Sequence, residues 1–267
     1  MTLRLTLPPI ADATALPLSP PDRHPLRRSG TLWLIDPAYP AQAWADGIPA
    51  SVPNLAGGEP ITVSAAMPGG LIERTGKGAF HAAAAKNATG NESVTFQSAE
   101  ARAKMLAAIS AGHDLGIVEV YRITREAAPN APASVSYRWA GLITTGGTND
   151  VATLRASTAN TVVGYQRARV SLEQEGTTLI STGPQAALSV LRGAGPAGSS
   201  TAMHLHHNGG AGSKQATRIT YLSLIEDLTA SGITAEAFRD SVNKWRDDVF
   251  DFGGRYAGDT WTALVPH

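Results

Sequence analysis

The chain has 267 residues, 43% hydrophobic, 16% charged and 6% aromatic, with 22 basic and 22 acidic side chains. A length of this order suits one large β domain or two smaller ones, and the balanced charge lacks the basic excess that neutralises phosphates, which argues against nucleic acid as a partner. There is no cysteine, which excludes disulfides, zinc–thiolate sites and thiol nucleophiles, and no run reaches the ~20 apolar residues of a membrane-spanning helix or reads as a secretory leader.

Residues 1–28 read as an extended, Pro-rich N-terminal arm. Pro8, Pro9, Pro17, Pro20, Pro21 and Pro25 oppose helix and most ladder bonds, while the alternation of Leu3, Leu5 and Leu7 suits at most a short edge strand. SGTLWLID, Ser29 to Asp36, is a strand bounded by Gly30 and Pro37. A long Pro- and Gly-rich loop follows, pinned by Tyr39 and Trp44, then a second strand from Ile61 to Met67.

AFHAAAAKNATG, within residues 78–90, has strong helix propensity over a short span and equally suits small-residue packing over a sheet. SVTF at 93–96 is a short strand or a helix entry. A helix follows, capped by Ser98, with Glu100 in its first turn, an apolar stripe of Met105, Leu106 and Ile109, and Gly112 past its end.

GIVEVYRIT, Gly116 to Thr124, alternates Ile117, Glu119, Tyr121 and Ile123 against Val118, Val120 and Arg122. VSYRWAGLI from Val135 and TVVGYQRARV from Thr161 are further strands, separated by a segment read as turn. TTLIST near Leu179 and STAMHLHH near Met203 complete the series. Many short strands with turn chemistry between them predict an antiparallel β-sandwich, since helices are too few to act as crossovers.

The stretch from Arg218 to Asp259 is the most ordered by pattern. RITYLSLIE is apolar on both faces, as in a strand covered on each side. After Ser231-Gly232, Thr234 caps a helix whose Ala235, Phe238, Val242, Trp245 and Val249 form one stripe, with Ile233 stapled onto Phe238. Asp240 and Lys244 stand at i,i+4 spacing, and Gly253-Gly254 ends the helix.

Motifs for chemistry are sparse. His204 and His206 would share one strand face roughly 7 Å apart, and they are the candidate metal ligands. With no third ligand in view, MHLHHNG reads as surface or interface histidines. TGKG, Thr75 to Gly78, lacks phosphate-loop spacing and reads as a turn, and GPAGSS at 195–200 reads as a loop. Glu119, Glu173, Glu175, Glu226 and Asp227 supply a glycosidase pair only if the fold brings two together; Glu226 and Asp227 otherwise read as a polar strand end. Tyr137 and Trp139 share a face with Val135, which suits a core. No catalytic residue, cofactor or metal is expected, and the chain reads as non-enzymatic.

YLSLIEDLTASGITAEAF followed by FGGRYAGDTW, together with SGTLWLIDPAYP and ASVPNLAGG near the other end, resembles virion proteins of tailed bacteriophages and prophages with concanavalin A-like or laminin-G-like jelly rolls. The resemblance implies an arm at 1–28 and a jelly-roll domain at 29–267. It implies a structural capsid-associated or tail subunit that folds in the bacterial cytoplasm, is located in the virion and contacts other virion proteins and copies of itself, without nucleic acid or membrane insertion. The other role it implies is a lectin-like module for host-surface glycans, although no acidic cluster matches a sugar or calcium site.

Overall fold

The computed structural model describes residues 23–42, 47–67, 70–83, 85, 93–125, 136–144, 150–157, 162–166, 171–175, 184–192, 200–203 and 217–264. In chain order the strands are β1 (Thr31–Ile35), β2 (Ser51–Val52), β3 (Ile61–Ala66), β4 (Leu71–Arg74), β5 (Phe80–Ala83) and β6 (Ser93–Gln97), followed by helix α1 (Ala99–Ser110). Then come β7 (Leu115–Arg125), β8 (Ser136–Thr144), β9 (Asp150–Ser157), β10 (Val162–Gln166), β11 (Ser171–Glu175), β12 (Gln185–Arg192), β13 (Ser200–Met203) and β14 (Thr217–Asp227). Helices α2 (Leu228–Ser231) and α3 (Ala235–Phe250) close the series.

The fold is mainly β with a few short helices, in the β-sandwich class expected, and every pairing among the described residues is antiparallel. The large sheet runs β11-β12-β7-β14-β5-β4 with β1 also on β14; β10-β9-β8-β13 and β2-β3-β6 form two smaller sheets.

The large sheet is organised on β14, whose eleven residues are all buried. One edge pairs with β7 along its length, while β1 and β5 share the other end to end: β1 meets 223–226 and β5 meets 218–220. Register shifts between Thr220 and Leu222 on the β7 side. The irregularity resets the side-chain alternation, so Tyr221 and Leu222, although adjacent, belong to the same core cluster. An apolar run without alternation is what a strand covered on both faces needs.

One face of this sheet packs under β2-β3-β6 and α1, around Ile117, Tyr121, Ile225, Phe96 and Met105. The other packs under α3, around Val118, Val120, Leu224, Phe238, Val242 and Trp245. β7 has the two faces predicted, and α1 has the predicted Ser98 cap, its hydroxyl accepting from Ala101 N. Gly112 lies just past that helix with φ 77°, a left-handed position that favours glycine.

Helix α3 follows its sequence pattern throughout. Thr234 caps it and its predicted stripe of five residues is buried; full burial of a large apolar side chain contributes about 1.5–3 kcal/mol. Lys244, however, pairs with Asp248 at 2.8 Å, not with Asp240. That order places the acidic group nearer the helix C terminus, so the helix dipole does not select it.

Other segments depart from expectation. Phe80–Ala83 is strand, because pairing with β4 and β14 outweighs the helix propensity of alanine over so short a span. DVATLRAS, read as turn, is β9 between β8 and β10. SLEQE and QAALSVLR, unassigned by pattern, are β11 and β12. TTLIST, Trp44 and residues 1–22 of the arm lie outside the described residues. His24 and Leu26, near the end of the expected arm, are buried in the body. Among the described residues no helix is long and apolar enough to cross a membrane.

Candidate functional site

The ends of the described chain meet at Asp36, the residue following β1. Its Oδ1 accepts from the Tyr256 hydroxyl at 2.6 Å. Its Oδ2 faces His24 Nε2 at 3.0 Å and accepts from Arg255 Nη2. His24 Nδ1 accepts from the Leu26 amide, which leaves the ring proton on Nε2, toward the carboxylate. The Tyr256 hydroxyl also accepts from Ala38 N and lies 3.2 Å from the Tyr221 carbonyl, in the stretch of β14 between β1 and β5. Burial, reinforced by the Asp36 charge, pushes the Tyr256 phenol well above its ordinary value, so it remains a donor at neutral pH.

Two further polar clusters tie the sheet together. Arg218 holds Glu119 through Nε and Nη2 at 2.8 and 3.2 Å, and the Thr220 hydroxyl donates to Glu119 at 2.6 Å. Both charged groups are buried, and burial pulls Arg218 below its ordinary value against the attraction of Glu119. On the opposite face His81 Nδ1 meets Glu73 at 2.7 Å and Nε2 meets the Thr124 hydroxyl at 2.9 Å, which in turn meets Thr217. Burial pulls His81 below its ordinary value. The neutral ring therefore donates to Glu73 and accepts from Thr124, a hydroxyl–imidazole–carboxylate relay.

The relay has the connectivity of a nucleophile–base–acid set. Its imidazole is fully buried and its hydroxyl is engaged by Thr217. Glu73 also binds Thr262 through N and hydroxyl at 2.8 and 2.6 Å, so the relay straps the C-terminal segment to the β4–β5 hairpin. Burial pushes Glu73 up, but the bonds from Thr262 and His81 outweigh it and hold the carboxyl below its ordinary value.

A cleft of about 480 Å³ is lined by Arg23, Arg27, Arg28, Lys104 and the polar Ser29 and Thr31. Its volume is in the range of small-molecule sites. Arg28 pairs with the buried Glu226 at 3.0 Å and Lys104 with Glu100 at 2.6 Å. Burial pushes Glu226 above its ordinary value, with Arg28 opposing. Pattern reading missed this cluster because prolines dominate the segment; the available signal was the alternation of inward His24 and Leu26 with outward Arg23 and Arg27.

The other sequence candidates disperse. His204 and His206 lie outside the described residues, as do 195–199. Among the described residues no cluster of three or more His, Cys, Asp or Glu could hold a metal. Glu119 and Glu226 face opposite sides of β14, Glu119 toward Arg218 and Glu226 toward Arg28. Asp227 caps α2 through Ala230 N and meets His113 at 2.7 Å; Glu226 and Asp227 are the polar strand end expected, and both are buried. Glu173 and Glu175 lie on β11, and Tyr137 and Trp139 on β8. Thr75 to Gly78 is the expected turn, closed by Gly78 N to Thr75 O at 2.8 Å.

No family model matches the chain, and no curated protein matches it in sequence. Among solved structures it is similar to Trypanosoma rangeli sialidase in complex with sialic acid, with TM-score 0.45 and 9% identity over 80% of this chain and 33% of that one. It is also similar to the same organism's sialidase as a covalent intermediate with 2,3-difluorosialic acid, with TM-score 0.43 and 12% identity over 76% of this chain and 31% of that one. The chain therefore spans about a third of the length of these solved chains. They are enzymes, and on that finding the expectation of a non-enzymatic chain is withdrawn.

Proposed function

We propose that the chain is a structural subunit of a tailed-bacteriophage particle, capsid-associated or in the tail, that acts through contacts with copies of itself and with other virion proteins. The observation carrying this reading is the joint at Asp36. SGTLWLIDPAYP contributes Asp36, FGGRYAGDTW contributes Arg255 and Tyr256, and YLSLIEDL lies within and just beyond β14, the strand against which β1 pairs. The segments that resemble virion proteins are thus the segments that interlock to hold the framework. A likeness falling on framework residues supports a common architecture of assembly, with partner contacts made by the outer surface and by the arm.

The test is to tag the chain in the phage or prophage that encodes it and analyse gradient-purified particles by mass spectrometry. The chain is expected in particles at a fixed ratio to the major capsid protein; its confinement to the particle-free lysate would overturn the reading. Removal of residues 1–22, which spares the buried His24 and Leu26, should leave folding intact and lower incorporation. A glycan array with the purified chain tests the attachment role, which saturable glycan binding without particle incorporation would favour.

A further inference from the structure

The Arg23–Arg28 segment is docked firmly. His24 is held by Asp36, Leu26 is in the core, the Arg27 amide closes a turn onto the His24 carbonyl at 2.9 Å, and the Arg28 amide donates to the Thr31 hydroxyl at 2.7 Å. Fixing the backbone in this way sets the outward guanidinium positions before any ligand arrives, which lowers the ordering cost of binding. Gly57, with φ 95°, makes room for one of them: a Cβ there would stand 2.9 Å from Arg27 Nη2.

Among the described residues the charge in the cleft is not balanced. Glu226 answers Arg28 and Glu100 answers Lys104. The Glu59 carboxylate is turned to the start of α1, where it accepts from Glu100 N and the Ser98 hydroxyl. Among the described residues no carboxylate faces Arg23 or Arg27, both of which are exposed. The surplus among the described residues is two positive charges in a concave site.

We infer that this cleft binds a doubly charged oxyanion, in class a phosphate or a phosphomonoester. Guanidinium forks match the oxygens of such a group in two-point contacts, and a phosphomonoester carries a charge of roughly −1.5 to −2 at neutral pH, which matches the surplus. A carboxylate would leave one guanidinium unanswered. The Thr31 hydroxyl, already accepting from Arg28 N, has its own proton to donate. The site is independent of the particle role: a virion subunit or any other protein with this cleft would bind the same group.

The test is calorimetric titration of the full chain at neutral pH and low salt with inorganic phosphate, with glycerol phosphate and, as a monoanion, with acetate. Saturable binding of phosphate or its ester at roughly millimolar concentration is expected, with acetate far weaker. The Arg23→Gln/Arg27→Gln variant should lose on the order of tenfold per guanidinium removed, the factor that a hydrogen bond to a charged group is worth. Both side chains are exposed, so the variant should keep the wild-type melting profile. Tighter ester binding assigns the group to a larger phosphorylated molecule, and tighter phosphate binding assigns it to the free ion. Absence of saturation with both phosphates, acetate binding equal to theirs, or undiminished binding by the folded double variant would overturn the inference.

Discussion

The hydroxyl of Tyr256 donates to the carboxylate of Asp36 across 2.6 Å, joining positions 220 residues apart. Tyr256→Phe removes this bond to a charged group while leaving the ring against Tyr221 and Phe250, and should cost about 1–3 kcal/mol. Asp36→Ala also strands His24 and Arg255 and should cost about 3–5 kcal/mol. Urea unfolding of both variants checks the order, and equal losses would mean that His24 and Arg255 contribute nothing at this joint.

A second test concerns the buried pair beneath β2-β3-β6. Removing only one partner, as in Glu119→Leu or Arg218→Met, leaves an uncompensated buried charge and should cost about 3–5 kcal/mol. The double variant should be closer to wild type than either single one, because desolvation of the two charges offsets much of their attraction. A double-mutant cycle in urea measures the coupling.

Close packing of α3 on the sheet sets a third prediction. A Cβ at Gly116 would come within 2.5 Å of the Phe238 ring, so Gly116→Ala should cost about 1–3 kcal/mol through overpacking. Combining it with Phe238→Leu should lose less than the sum of the single variants, with coupling of about 0.5–3 kcal/mol. Additive losses would show that the helix shifts freely over β7.

Acid should loosen the C-terminal strap in two stages. The folded state holds His81 below its ordinary 6.5, through burial opposed by Glu73 and Asp259 and aided by Arg125. Its contribution is therefore complete above pH 6.5 and is lost as pH falls toward the folded value, because the unfolded chain takes up the proton first. Glu73, held below its ordinary 4.5, adds a contribution complete above pH 4.5 and lost beneath it. Glu226, raised by burial, acts oppositely: it penalises the folded state as pH rises past 4.5. Thermal melts across this range should show His81→Asn less stable at neutral pH and with a shallower decline between pH 6.5 and 4.5. The difference in slope is at most about 1.4 kcal/mol per pH unit.

Much of the frame was legible because its signals are local. Thr234 and the Phe238, Val242, Trp245 stripe define α3 within sixteen residues, Ser98 marks the start of α1, and β7 and β14 read as strands from their own patterns. β5 was not legible, since its alanines take their conformation from β4 and β14. β9, β11 and β12 carry few large apolar residues, and their pairing supplies what composition lacks. The ionic joints were hidden by distance along the chain: Arg218 and Glu119 are 99 residues apart and Arg28 and Glu226 are 198 apart. No window on the sequence contains both partners.

Every described strand that borders β14 precedes it in the chain: β1, β5 and β7 are all synthesised before Thr217 leaves the ribosome. The large sheet therefore cannot close before β14 has emerged. Its apolar flanking strands emerge first and must wait, with unpaired edges that other chains can capture. Faster synthesis of the stretch through β14, or shielding by a chaperone during that interval, should raise the yield of folded chain. A ribosome-bound chain ending before β14 should be cleaved readily by protease, and one extending past the exit tunnel to Tyr256 should resist it.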